Sequence, residues 1–193
     1  MPQREGRHRR EAFRQPNHTV LVYCGAARTE PDYFEGLKLL LRNANVTIKV
    51  RCEGIDPARL VKVAADFRDR RPGIFDDVWC VVDTDDFDIS VAAAAARRQR
   101  VNLAVSNPCF ELWLLLHHAE CQGHCADYAD VVSRLKRHVP AYDKAALDFR
   151  WFSAGIGVAV ERGEKLDPSG VDHKKNPSSG VWMLAKMLLG YRR

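Results

Sequence analysis

The stretch Asp77-Val-Trp-Cys-Val-Val82, followed directly by Asp83-Thr84-Asp85, decides the fold class of this chain. Every residue from Val78 to Val82 is apolar, which is typical of a strand buried on both faces of a parallel sheet. In an open parallel sheet, ligands bind just beyond the carboxyl ends of the strands. The stretch therefore predicts a central buried strand whose following aspartates lie at a candidate binding edge.

Strands and helices alternate on both sides of this stretch. Thr19-Val-Leu-Val-Tyr-Cys24 is a short apolar run rich in β-branched residues, whereas the aromatic and leucine residues of 33–41 recur at helical spacing. The alternation predicts an α/β domain with a mostly parallel four-stranded sheet flanked by helices. The predicted strands cover 19–24, 46–52, 77–82 and 101–106, and the predicted helices cover 29–43, 57–70, 90–100 and 109–118.

Two of these helices begin at residues that commonly cap helix N-termini. Thr29 is followed by Pro31 in the first turn and by Asp32 three residues on, a pattern typical of a helix start. Ser90 precedes an alanine-rich run. The sequence therefore predicts Thr29 and Ser90 as N-caps.

Beyond residue 127 the pattern is helical only. It predicts helices over 127–138, 143–163 and 177–190, with a long polar loop over 167–179. We therefore divide the chain into a basic flexible tail over 1–18, an α/β core over 19–126 and a helical extension over 127–193 packed on that core.

The composition excludes disordered, secreted and membrane-spanning classes of protein. The chain has 193 residues, of which 46% are hydrophobic and 28% are charged, and a chain of this length can bury a core without disulfides. It has neither the apolar run of about 20 residues that a membrane span needs nor a secretory signal. The six cysteines are therefore expected to be reduced thiols of a cytoplasmic protein.

The positive charge lies mostly near the two ends of the chain. The net charge is +5, and residues 1–18 and 161–193 each carry more basic than acidic side chains, with Lys174 and Lys175 in the second group. Such segments favour a polyanionic partner such as nucleic acid. Basic tails that only aid solubility are the alternative interpretation.

Negative charge is concentrated in the middle. Residues 72–96 contain no lysine or arginine, and six aspartates fall within this range, at positions 76, 77, 83, 85, 86 and 88. Crowded carboxylates repel one another unless a cation neutralises them. Asp83 and Asp85 follow the central strand and provide the hard oxygen ligands that Mg²⁺ or Mn²⁺ prefers. The alternative is that these aspartates only form a turn or cap the next helix.

Glu111 is the third acidic candidate. It lies in Ser106-Asn-Pro-Cys-Phe-Glu-Leu-Trp-Leu-Leu-Leu-His117, inside an almost continuous apolar helix. A buried carboxylate needs a partner there, although a favourable interaction with the helix dipole is the simpler role. For His117 a core position is favoured over a ligand role. Cys121, His124 and Cys125 are possible zinc ligands, but a second ligand pair at a distance is not evident in the sequence.

Three segments together resemble the RloB-like family, small Toprim-fold proteins associated with bacterial restriction and phage-defence loci. They are Val22-Tyr-Cys-Gly-Ala-Ala-Arg-Thr-Glu-Pro-Asp-Tyr-Phe34, Val81-Val-Asp-Thr-Asp-Asp-Phe87 and the segment from Ser106 to His117. Asn176-Pro-Ser-Ser179 is similar to the Asn-Pro-Ser-Thr segment of the family. The resemblance covers about residues 19–190 and implies a Toprim-like α/β core.

The resemblance implies Mg²⁺-dependent phosphodiester chemistry on nucleic acid. Asp83 and Asp85 match the metal-binding Asp-x-Asp of the family, and Glu111 matches its third acidic position. The first element departs from the pattern. Where the family has Cys-Glu-Gly-Glu-Lys-Thr-Glu, this chain has Cys24-Gly-Ala-Ala-Arg-Thr-Glu30. Gly25 therefore replaces the expected catalytic glutamate, Ala27 replaces the second acid, and Glu30 is retained.

Two functional hypotheses follow. The first is an antiphage nuclease with Asp83, Asp85 and Glu111 at the metal, Glu30 as a further catalytic acid, and Arg28, Lys174 and Lys175 on substrate phosphates. The second is a catalytically degenerate module that binds nucleic acid, or an ATPase encoded at the same locus, without cleavage. A haloacid-dehalogenase-like phosphatase would have its aspartates after the first strand rather than the third, and a glycosyltransferase motif is the remaining alternative.

Overall fold

The central strand predicted from the sequence, β3 (Asp77–Asp83), lies between β1 (His18–Cys24) and β4 (Asn102–Asn107) in a computed structural model that describes residues 17–84 and 88–190. Within these residues the sheet has five strands in the order β2-β1-β3-β4-β5. The first four are parallel, and the short β5 is antiparallel to β4. The predicted α/β class with a mostly parallel sheet is confirmed. The remaining elements are α1 (Thr29–Leu40), β2 (Val46–Cys52), α2 (Pro57–Asp69), α3 (Ile89–Gln99), α4 (Glu111–Leu116), α5 (Tyr128–Lys136), α6 (Arg150–Ser153), α7 (Ile156–Leu166), β5 (Ser178–Ser179) and α8 (Val181–Leu189).

Both faces of the sheet are buried, as the apolar run in β3 predicts. Successive strand side chains point to opposite faces, so Val20 and Val22 contribute to one core while Leu21 and Tyr23 contribute to the other. α1, α4 and the helices after residue 127 pack on the first face. α2 and α3 pack on the second face.

The register of the parallel strands aligns their carboxyl ends. Cys24 pairs with Val81, and Asp83 pairs with Ser106. The backbone continues these ladders for one more step, because Gly25 N donates to Val81 O at 2.9 Å and Thr84 N donates to Ser106 O at 3.0 Å. The residues that follow β1, β3 and β4 therefore lie at one edge of the sheet.

The last third of the chain differs from its predicted helices. The predicted helix over 143–163 is wrong in its first half, since residues 143–149 form turns and the helical part divides into α6 and α7. Asp143 accepts from Ala145 N at 2.8 Å and Asp148 accepts from Arg150 N at 3.0 Å. These side chains offer the backbone an alternative to helical hydrogen bonds.

The predicted loop over 167–179 and the predicted helix over 177–190 also need correction. Ser178 and Ser179 form β5, a fifth strand that the sequence did not predict, and α8 begins only at Val181. The hydroxyls of Ser106 and Ser179 lie 3.0 Å apart across this pairing. Two residues are too few to show strand periodicity, so only the tertiary pairing identifies them.

Neither predicted N-cap caps its helix. Thr29 is the first helical residue, and its hydroxyl donates to Lys144 O at 3.3 Å instead. α3 is capped by Asp88, whose carboxylate accepts from Ser90 N at 2.9 Å. Asp88 lies two residues before Ser90 and is also a strong capping residue, which explains the displaced helix start.

The helices after residue 127 share a core with the α/β part of the chain. One hydrophobic cluster contains Phe110 and Trp113 together with Phe152 and Leu184. Arg162 on α7 donates to Leu116 O at the end of α4 at 2.7 Å. Among the described residues, no helix is both long and apolar enough to cross a membrane.

His117 is a core residue, the role that the sequence favoured for it. It is 5% exposed, with Nδ1 2.9 Å from Trp113 O and Nε2 3.0 Å from the Tyr33 hydroxyl. A carbonyl oxygen can only accept, so Nδ1 carries the proton and Nε2 accepts from Tyr33. Burial lowers the pKa of His117 from 6.5 to about 3, so the imidazole is neutral in the folded protein.

Acid should therefore destabilise the fold through His117. The pKa of His117 in the folded protein lies below its unfolded value of 6.5. The stabilisation that neutral His117 gives to the folded protein is therefore complete above pH 6.5 and is lost as the pH falls towards 3. The expected slope from this group is about 1.4 kcal/mol of unfolding free energy per pH unit. Urea unfolding of wild type and His117→Asn between pH 7 and 4 would measure it. A wild-type slope no steeper than that of the variant would contradict the assignment. His124→Asn, at an exposed position, is the matched control.

A second prediction concerns the close approach of α1 to residue 149. A Cβ atom on Gly36 would lie 2.2 Å from Phe149 Cγ, so Gly36→Ala should destabilise the protein by about 1–3 kcal/mol through overpacking. Gly157 is exposed, and apart from its chain neighbours and the backbone of its own helix, no described residue lies within 4 Å of its Cβ position. Gly157→Ala should leave the melting temperature unchanged or slightly raised. Equal melting temperatures for the two variants would refute the predicted contact.

Candidate functional site

A cleft of about 210 Å³ opens at the carboxyl edge of β1 and β3. We call it the acidic cleft. It is lined by Gly25, Ala26, Glu30, Ile55, Pro57, Val82, Asp83, Cys109, Tyr128 and Lys144. Two of the predicted acids, Glu30 and Asp83, line it, and so does Gly25, the position where the family resemblance implies a third acid.

Glu30 lies in the first turn of α1 and is 1% exposed. Its Oε2 accepts a hydrogen bond from Ala26 N at 2.8 Å. This hydrogen bond closes the turn between β1 and α1. The turn contains Gly25 and Ala27, the residues that replace the expected acids. Glu30 thus has a structural role in addition to its place in the lining.

Asp83 is the last residue of β3, is half-buried and borders the cleft. This position follows from the strand pattern, because the apolar run ends there. Asp85, the other half of the Asp-x-Asp pair, lies outside the described residues. The convergence of Asp83 and Asp85 on one cation therefore stays a prediction.

Glu111 is the first residue of α4 and is 1% exposed. Its Oε1 accepts from the Tyr142 hydroxyl at 2.8 Å and lies 3.9 Å from Lys144 Nζ. Its Oε2 is buried and has no hydrogen-bond partner within the described part of the chain. The sequence predicted that this carboxylate needs a partner, and the structure supplies two.

Lys144 links the acids of the site. Its side chain is 54% exposed and its Nζ lies 4.5 Å from the Tyr128 ring centroid. Burial lowers the pKa of Lys144, but the combined attraction of Glu111, Tyr128 and Asp83 outweighs it, so the pKa is raised. Lys144 is therefore a firmly protonated cation within the electrostatic field of both Glu111 and Asp83.

The negative charge of Glu111 also contributes to the pKa values of two neighbouring neutral groups, Tyr142 and Cys109. Burial, followed by the charge of Glu111, raises the pKa of Tyr142, which keeps its hydroxyl a donor. Burial, followed by the charges of Glu111 and Asp83, raises the pKa of Cys109. Burial is the larger cause in both cases, so the thiol and the phenol stay protonated beside these carboxylates.

Sequence reasoning missed Tyr142 and Lys144. Both lie on the segment before α6, part of which was predicted as helix, and they reach Glu111 only through the tertiary path of that segment. Lysine and tyrosine there form no motif, so the sequence contains no signal that would have identified them.

The three predicted phosphate-binding residues occupy different surroundings. Arg28 is exposed beside the cleft, where its Nη1 donates to Ala145 O at 3.3 Å. Lys174 lines a larger groove of about 780 Å³ with Thr84 and Asp88. Lys175 donates to Leu166 O and lines a third depression. The structure thus brings only Arg28, of these three, to the segment that carries Lys144.

The described residues alone do not complete a metal site. Within 17–84 and 88–190, no group of three or more histidine, cysteine and acidic side chains could hold a metal ion. The observation that fits an added cation is the buried and unpartnered Oε2 of Glu111, since carboxylate oxygen is the donor that Mg²⁺ prefers. Asp85 and Asp86 lie outside the described residues, so the absence of a metal-holding group does not extend to them.

Gly25 leaves room for a larger side chain. A Cβ atom there would meet Val82 Cγ1 at 3.4 Å and Val81 O at 3.5 Å, which are ordinary contact distances. Because Gly25 also lines the cleft, a carboxylate introduced at this position would begin at the cleft wall.

The partners of Glu111 lead to a stability prediction. Tyr142→Phe removes the donor to an almost fully buried carboxylate, which should lower the free energy of unfolding by about 1–3 kcal/mol. Tyr128→Phe keeps the ring beneath Lys144 and changes an exposed hydroxyl, so it should change stability by less than about 0.5 kcal/mol. Urea unfolding measures both variants, and equal values would disprove the role of the Tyr142 hydrogen bond.

The chain was compared with protein families, curated proteins and solved structures. The family model described as RloB-like protein matches residues 20–188. No curated protein and no solved structure matches the chain. The family match contains every described residue of the acidic cleft, including Gly25, Glu30, Asp83 and Lys144. The chain therefore belongs to the RloB-like family.

Proposed function

We propose that this protein is a Toprim-type nuclease of antiphage defence that cleaves phosphodiester bonds of DNA or RNA with Mg²⁺ or Mn²⁺ at the acidic cleft. The observation that supports the proposal is that Lys144, which lies 3.9 Å from Glu111, lines one cleft with Glu30 and Asp83 at the carboxyl edge of a parallel sheet. These residues come from separate segments. Such an edge is where open α/β sheets bind their ligands.

Asp83 and Asp85 would hold the metal ion, with Glu111 as the further acidic ligand. A divalent ion bound there supplies neutralisation of phosphate charge and activation of a water molecule. Glu30 holds the turn that borders the site through Ala26 N. Glu30 would act on a proton only when its carboxylate is released from the hydrogen bond with Ala26 N.

Lys144 and Arg28 would contact the substrate. Lys144 is charged and half-exposed at the cleft, so its ammonium group is available to a phosphate oxygen once Glu111 engages a cation. Arg28 extends from the neighbouring turn and can bind a second phosphate. Lys174, Lys175 and the basic residues of 1–18 would add contacts to the nucleic-acid backbone that weaken with salt.

A second function, binding without cleavage, is favoured by Gly25. The chain has glycine where the family resemblance implies a catalytic glutamate, and Ala27 where it implies a further acid. Such a module would hold nucleic acid or an ATPase encoded at the same locus. The two functions share the cleft and differ in whether the remaining carboxylates suffice for chemistry.

Cleavage assays on DNA and RNA with Mg²⁺ or Mn²⁺ test the first function. Asp83→Asn should reduce cleavage at least about a hundredfold, because it removes a carboxylate from the metal, and a chelator should abolish cleavage. Asp77→Asn changes the opposite end of the same strand, where Asp77 pairs with His18 at 2.7 Å, and should retain activity in folded protein. Equal cleavage by wild type and Asp83→Asn would reject a nuclease at this cleft.

The second function has a different signature. Wild type would bind nucleic acid with an affinity that falls with salt and would show no metal-dependent turnover. Gly25→Glu, whose Cβ atom would make only ordinary contacts, would then gain cleavage. Wild type that neither binds nor cleaves nucleic acid would exclude the nuclease and the nucleic-acid-binding module, and would leave the ATPase as the only proposed partner.

A further inference from the structure

Cys121 and Cys125 form a close thiol pair that the candidate site does not use. Their Sγ atoms lie 3.3 Å apart, and each lies within hydrogen-bonding range of Gly123 O, at 3.9 and 3.8 Å. Both residues are in the irregular segment between α4 and α5. The backbone there is not fixed by helical hydrogen bonds, which leaves the two side chains free to approach further.

An arginine contacts the first thiol of the pair. Arg134 Nη1 lies 3.5 Å from Cys121 Sγ. The guanidinium is held in place by Asp130, through contacts of 2.9 and 2.7 Å, and by His124 O at 3.1 Å. A fixed cation beside a sulfur stabilises the thiolate, the nucleophilic form of cysteine.

Cys121 also borders an opening to the surface. A pocket of about 400 Å³, here the thiol pocket, has Cys121 in its wall together with Arg162, Lys165 and Lys175. Cys121 is buried but keeps 3% exposure at this wall, whereas Cys125 is completely buried and is not part of the wall. A small oxidant entering from solvent therefore meets Cys121 first and Cys125 second.

The pKa of Cys121 also differs in direction from the pKa values of the other buried cysteines. The hydrogen bond with Cys125 lowers the pKa of Cys121, and Arg134 contributes further, against the opposing effects of burial and of the Asp130 charge. Burial raises the pKa of Cys24, Cys80 and Cys109. Cys121 is thus distinguished from these three thiols by the direction of its pKa shift and by the guanidinium of Arg134 beside its sulfur.

We propose that Cys121 and Cys125 are a reversible redox pair in which a hydroperoxide oxidises Cys121 and Cys125 resolves it as a disulfide. With hydrogen peroxide, the Cys121 thiolate attacks one oxygen, the O–O bond breaks, hydroxide leaves, and a sulfenic acid remains on Cys121. Cys125 sulfur then attacks Cys121 sulfur, the S–O bond breaks, and the departing hydroxide takes up the Cys125 proton as water. In total, two thiols and one peroxide give one disulfide and two waters. A dithiol reductant reverses the reaction.

The geometry requires only a local movement. The sulfur atoms must close from 3.3 Å to the bonding distance of about 2 Å. Asn176 anchors the backbone of Cys125, since its Oδ1 accepts from Cys125 N at 2.9 Å and its Nδ2 donates to Cys125 O at 2.9 Å. Cys121 and the Gly123 turn are therefore the parts that move.

Peroxide treatment of the full-length protein tests the pair directly. After stoichiometric hydrogen peroxide, alkylation of the remaining thiols should show a loss of two of the six. Mass spectrometry of the tryptic peptide 101–134 should show the loss of two hydrogens, and dithiothreitol should restore both thiols. Cys121→Ser should abolish this disulfide, whereas Cys125→Ser should leave a sulfenic acid on Cys121 that dimedone traps.

Cys52→Ser provides the matched control, because Cys52 is an exposed cysteine outside the pair and its removal should leave the loss of two thiols unchanged. Continued alkylation of Cys121 and Cys125 after peroxide would overturn the proposal. So would a peroxide-induced disulfide that persists in Cys121→Ser or that requires Cys52. All of these measurements are made on thiols, so they are independent of nuclease activity.

Discussion

The buried carboxylate of Glu111 imposes the constraint on which the site depends. A carboxyl group with 1% exposure is tolerated in a protein interior only where other groups offset the cost of burying it. Here the hydroxyl of Tyr142 and the ammonium of Lys144 do so from a segment that follows 31 residues later. The same segment receives the hydroxyl of Thr29 and the guanidinium of Arg28 from the start of α1. The burial of Glu111 thus explains why residues 142–145 lie over the carboxyl edge of the sheet.

The parts of the fold that could be predicted are those that the local pattern determines. The uninterrupted apolar run of β3 predicted burial on both faces, and the β-α alternation predicted the parallel sheet. The position of Asp83 at the candidate edge followed directly from where that run ends. The RloB-like family was recognised from motifs rather than from periodicity, and its match to residues 20–188 confirms it. The Toprim assignment and the nuclease role stay predictions.

The remaining features depend on tertiary contacts that leave no local signal. β5 is a strand only because Ser178 and Ser179 meet β4, and Thr29 is not an N-cap because its hydroxyl is engaged by Lys144 O. Glu30 is a predicted catalytic acid because it retains a glutamate of the family motif, yet its carboxylate also accepts a hydrogen bond from Ala26 N. By sequence, Cys121 and Cys125 are possible zinc ligands together with His124, whereas the 3.3 Å contact of the two sulfur atoms and the nearby Arg134 favour redox chemistry.

The pairing of β4 with β5 has a consequence for the order in which the chain is made. Asn176, just before β5, bonds Asn107 at the end of β4 across a separation of 69 residues. At about 5–20 residues per second, translation of that interval takes roughly 3–14 s. During this time the nascent chain has β4 without its outer neighbour, and an open strand edge is a template for pairing with other chains. The sheet therefore closes only after residue 176 has been made, and a ribosome that stalls before that residue leaves the edge of β4 uncovered.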